Sequence, residues 1–104
     1  MIVATARSQH TTPQAFIWND HSRFVEVHPV RLGWLVVWGH HEDLGSIRIQ
    51  EGNAQYRSLD GARRRLVDSA LEVTRSHRAA ADAARMFDFF SFPEHEVGSL
   101  PESL

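Results

Sequence analysis

Five consecutive residues, Trp34-Leu35-Val36-Val37-Trp38, constrain this chain more than any others. Alternation sets Trp34, Val36 and Trp38 on one face of a strand and Leu35 and Val37 on the other. A strand apolar on both faces runs centrally in a sheet and is covered on both sides. Gly39 ends the apolar part. Upstream, Ala15 to Trp18 is a short apolar run that stops at Asn19-Asp20, a turn-tolerant pair. RFVEVHPV (23–30) alternates, with Phe24, Glu26, His28 and Val30 on one face, and Pro29 marks a strand end or an edge. Downstream, SIRIQE and AQYRS flank Gly52-Asn53 and read as a further hairpin of shorter, more polar strands.

At Ser58 the period changes from two to three and four. Leu59, Ala62, Leu66, Val67, Ala70, Leu71, Val73 and Thr74 form the apolar stripe of an amphipathic helix with Ser58 as its N-cap. Ala80, Ala83, Ala84, Phe87 and Phe90 form a second stripe, which Ser76 can cap after a break near residues 74–77. The predicted fold class is α+β: an antiparallel β-meander of four to five strands, followed by one or two C-terminal α-helices packed on one face of the sheet. Residues 1–13 read as a loose arm, 14–92 as a single domain and 93–104 as a frayed acidic tail.

Composition removes several kinds of chemistry. The chain has 104 residues and no cysteine, so disulfides and thiolate metal sites are excluded. All 11 basic residues are arginine, which excludes lysine nucleophiles and the lysine of a phosphate-binding loop. No apolar run approaches the roughly 20 residues that span a bilayer, so no membrane role and a cytoplasmic location are expected. No cofactor is implied. Gly-x-Ser-x-Gly and dinucleotide fingerprints are absent. Asp20-His21-Ser22 has the residue types of a hydrolytic triad, but neighbours on a strand face apart. His77 at the helical break reads as a cap or surface residue, and His95 falls in the tail.

Three sets of residues remain. His28, His40 and Glu42 supply the ligand types of a catalytic metal site if His28 comes near His40 across the hairpin, whereas His40 and His41 point to opposite faces of a continuous strand. Tyr56, Arg57, Arg63, Arg64 and Arg65 could contact nucleic acid, since residues 54–85 hold seven arginines against Asp60, Asp68, Glu72 and Asp82. Three consecutive arginines nevertheless sweep around a helix, and the chain is acidic overall, at -2. The third set is the aromatic face, Trp34, Val36 and Trp38. If the helices cover Leu35 and Val37, the tryptophans must meet the N-terminal arm, the Phe-rich C-terminal end or a second chain; if the helices cover the tryptophans, two smaller residues stay outside.

The leading expectation is a small non-enzymatic interaction or regulatory module, self-associating, as a dimer, through the aromatic sheet face or binding a protein partner. A nucleic-acid-binding regulator is the alternative, and a His/carboxylate metal-dependent enzyme the third reading.

Overall fold

The computed structural model describes residues 15–92. The expected arm and acidic tail, residues 1–13 and 93–104, lie outside the described residues. Four strands, β1 (Phe16–Asp20), β2 (Arg23–Val30), β3 (Gly33–Glu42) and β4 (Ile47–Tyr56), pair in sequence order as an antiparallel meander. Two helices, α1 (Leu59–Thr74) and α2 (His77–Phe89), follow and pack against the sheet. The fold is therefore α+β, with four strands and two helices among the described residues.

Turn chemistry sets the strand ends. His21 adopts a left-handed backbone (φ 58) between β1 and β2, Arg31-Leu32 joins β2 to β3, and Asp43, Leu44 and Gly45 all take positive φ in the single 3-10 turn between β3 and β4. Both helix starts follow the capping rule. Ser58 Oγ accepts from the Gly61 N–H at 3.0 Å, and Ser76 Oγ accepts from the Ala79 N–H at 3.1 Å. Between the helices Arg75 turns left-handed and donates its N–H to Leu71 O at 2.7 Å, which closes α1 without a glycine.

The expected hairpin at Gly52-Asn53 is not a hairpin. β4 runs unbroken from Ile47 to Tyr56, and Glu51 is the extra residue of a bulge, because Trp38 pairs with Gly52 while Gly39 pairs with Gln50. Gly52 is needed for clearance. A Cβ there would lie 2.4 Å from the Trp38 ring, so the glycine lets the indole lie flat on β4.

Helix packing settles which face is covered. Phe16 and Trp18 of β1, Val25 and Val27 of β2, and Val36 and Trp38 of β3 form the core with Ala62, Leu66, Ala70 and Val73 of α1 and Ala80, Ala83 and Phe87 of α2. Alanines let the helices sit close to the sheet, and Phe87 meets Phe16 edge-on with centroids 5.1 Å apart. The tryptophans therefore face the helices. Val36 is wholly buried, Trp38 is 9 % exposed and Trp34 packs against the same cluster. Of the expected interface residues Trp34, Val36 and Trp38, Val36 and Trp38 thus lie in this chain's own core and Trp34 packs against it, on the helix side of the sheet. Among the described residues, no helix is long and apolar enough to cross a membrane.

Candidate functional site

Register places every polar candidate. On the face of the sheet away from the helices, Glu26 alternates with Phe24 and His28 along β2. Its carboxylate is buried, a costly position without partners. One partner comes from far away in sequence and the other from two positions on. Arg48 donates from Nη1 to Oε2 at 2.8 Å and from Nη2 to Oε1 at 3.0 Å, and His28 Nε2 lies 2.8 Å from Oε1. To get there the Arg48 side chain reaches from β4 across β3, and its guanidinium lies 4.1 Å from the Phe24 ring centroid. Gly39, paired with Phe24, leaves that lane free of a side chain. Phe24 is thereby fully buried on the face without helices, with His41 5.1 Å away on its other flank. Burial pushes the Glu26 carboxyl up, but the hydrogen bonds and charges of Arg48 and His28 outweigh it and hold Glu26 below its ordinary value.

The second cluster lies where β3 and β4 run out toward their turn. β3 continues through Glu42, so His40 and Glu42 do share a face and His41 takes the other. His40 Nε2 is 2.9 Å from Glu42 Oε2, and Nδ1 is 2.5 Å from Glu51 Oε2, the bulge residue. A neutral imidazole has one N–H and can serve only one of these carboxylates. Contact through both nitrogens fits the imidazolium, and the Glu42 and Glu51 hydrogen bonds raise His40 above the ordinary 6.5. A raised histidine stabilises the fold fully below its unfolded value, and that contribution is lost as pH rises through the folded value. A proton NMR titration of the imidazole should accordingly give His40 a midpoint above 6.5 in the wild type and a lower one in Glu51→Gln. Equal midpoints would show that the contact with Glu51 does not hold the proton.

The metal set is not assembled. β2 pairs His28 with Leu35 and Arg23 with His40, so His28 and His40 lie on opposite faces, five strand positions or about 16 Å apart along β2. The shift arises because the hairpin register is fixed by the two-residue turn at Arg31-Leu32, far from His40. Among the described residues, no group of three or more histidines and carboxylates is placed to hold a metal ion.

The arginines are dispersed as well. Arg63 is drawn to Asp88 of α2 by two hydrogen bonds of 2.7 Å, which tie the two helices together. Arg65 turns the other way, 4.4 Å over the Trp38 ring, and donates to Ser69 Oγ and Glu72. Arg64 and Arg57 are exposed, while Tyr56 packs against the core. Asp20 and His21 come no nearer than 4.0 Å, and the His21 side chain is 93 % exposed, so no triad forms there. His77 is an exposed first-turn residue of α2, since Ser76 does the capping. His95 lies outside the described residues.

Sequence reading missed the Glu26 and Arg48 pair, 22 positions apart. One signal was present: a carboxylate set midway along a strand whose neighbours Val25 and Val27 are apolar needs a cation from another strand. What the ionisable groups do chemically is neutralise one another. Among the described residues, His28 and His40 are each held by carboxylates in such networks.

Comparison with protein-family models, with curated proteins and with solved structures finds no match to this chain.

Proposed function

We propose that this chain is a small interaction module, without catalysis of its own, that self-associates through its β-sheet. One observation carries the reading: among the described residues the helices close a single face of the sheet, leaving the opposite face and the outer edges of β1 and β4 without a helix. That opposite face is mixed: the Glu26, Arg48 and His28 network crosses it, and apolar side chains surround the network. Val37 and Leu35 of β3 occupy the face, with Val30 half-buried and Ile17 55 % exposed. A sheet with apolar side chains on both faces gains from a second layer or a continuation, and a second copy supplies either. The ion networks at Glu26 and His40 satisfy their own charges and so favour association over chemistry.

The nucleic-acid reading requires Arg63, Arg64 and Arg65 to present one basic surface, and among the described residues Arg63 is engaged by Asp88 and Arg65 by Glu72 and the Trp38 ring. Native mass spectrometry of the untagged protein at low micromolar concentration tests the proposal. The expected species has twice the 11.8 kDa mass of one chain. A monomer at every concentration up to about 100 μM, where association would be worth less than roughly 5.5 kcal/mol, refutes self-association.

A further inference from the structure

We infer that the outer edge of β4 is the seam of self-association, and that its occupant is β4 of a second copy, paired antiparallel about a two-fold axis. The inference rests on the self-association reading above. β4 is the last strand of the sheet, and among the described residues no strand pairs with its outer edge. Natural edges are blunted with proline, lysine, short length or outward charge. β4 is ten residues long and contains neither proline nor lysine. Its two charged side chains are both drawn back over the sheet, Arg48 to Glu26 and Glu51 to His40. The edge is thus unguarded by its own charges.

The bulge then selects a register. Below it, Ile47 and Ile49 share the helix side with their partners Glu42 and His40, while Arg48 and Gln50 take the other face. Above it, Gly52, Ala54 and Tyr56 are on the helix side and Asn53 and Gln55 on the other. A two-fold antiparallel seam must pair residues that share a face. In a regular ten-residue strand, full overlap would oppose residues of opposite faces. The inserted Glu51 removes that conflict. With Ile47 opposite Tyr56, Ile49 opposite Ala54, Arg48 opposite Gln55 and Gln50 opposite Asn53, every pair lies on one face, and Glu51 and Gly52 straddle the axis. Apolar meets apolar on the helix side; on the other, Gln50 meets Asn53 amide to amide, and Gln55 lies opposite Arg48, whose guanidinium stays with Glu26. The product is one eight-stranded antiparallel sheet with four helices on the same side.

The test is made on full-length protein by native mass spectrometry, with circular dichroism and melting as checks of the fold. Gln50 and Asn53 are exposed, so substituting both leaves the core untouched. Gln50→Glu/Asn53→Glu sets like charges opposite one another twice across the seam and is expected to weaken the dimer about tenfold. Gln50→Arg/Asn53→Arg does the same. An equimolar mixture of the two variants is expected to form the heterodimer preferentially, because the introduced charges now attract. If the wild type is a dimer and both variants dimerise as tightly as it does, the β4 seam is wrong while self-association stands, through the open face. Weakened variants that do not recombine as a heterodimer also overturn the register. A monomeric wild type removes the parent reading and the seam together.

Discussion

Trp38→Ala should cost about 3–5 kcal/mol, the range for deleting a buried tryptophan from a packed core. For a domain of this size, that corresponds to a melting-point drop on the order of 15 °C or more. The indole is held on three sides: Gly52 beneath it, Arg65 over the ring, and Val25 opposite on β2. Truncation leaves a cavity between sheet and helix that none of these can fill, and it strips the guanidinium of its stacking partner. Differential scanning calorimetry reads the loss directly. Where the variant remains folded, its native mass should equal that of the wild type, because the ring faces the chain's own helices. A normal melting point combined with a lost dimer would instead put Trp38 at a subunit boundary.

Arg48→Ala is expected to destabilise the protein by about 2–3 kcal/mol at pH 7. Removing one partner of a buried pair strands the other charge, a loss of roughly 3–5 kcal/mol when both are inaccessible. The figure is reduced here because the Arg48 side chain is 44 % exposed and His28 remains beside Glu26. The pH dependence has a definite sign. In the wild type Glu26 titrates below 4.5, so its contribution is present above that pH and disappears as pH falls through the lowered value. Without Arg48, burial is opposed by His28 alone and the carboxyl moves upward from its wild-type value, so that its protonation on acidification relieves the stranded charge. The deficit of the variant relative to the wild type should therefore shrink between pH 7 and pH 4 in urea unfolding. Glu26→Met/Arg48→Met, which removes both charges at similar volume, should recover most of the loss. Equal stability of Arg48→Ala and the wild type at pH 7 would mean that the pair is solvent-screened and holds nothing.

Much of the fold was legible because its signals are local. Period two in residues 23–30 and 34–38, period 3.6 after Ser58, and serines at both helix starts each depend on a few neighbouring residues. What failed depended on distance. Gly52-Asn53 has turn chemistry, yet the reason for the glycine is the Trp38 ring on the next strand. The choice between the two faces of β3 could not be made from alternation alone, since both faces are apolar. It is settled by Phe16, Trp18, Val25 and Val27, which line up with the tryptophans once the strands are in register. The metal set failed for the same reason. His28 and His40 are near in sequence to one hairpin, but register separates them by five positions. The helix-face reading of the arginines did anticipate their dispersal, because 100° between successive residues cannot collect Arg63, Arg64 and Arg65 on one side.

The strand order has a kinetic consequence. Each strand pairs with its immediate successor, so the chain can lay down its sheet by closing short turns at residues 21–22, 31–32 and 43–46 without any long crossover. Small loops close at little entropic cost, and folding rates rise as contacting residues lie nearer in sequence. The slow events are then the few that join remote segments: α2 seating Phe87 on Phe16 of β1, and Arg48 reaching back to Glu26. Sheet first and clasps afterwards is the order that this connectivity favours, and it gives the central strand its neighbours early in folding.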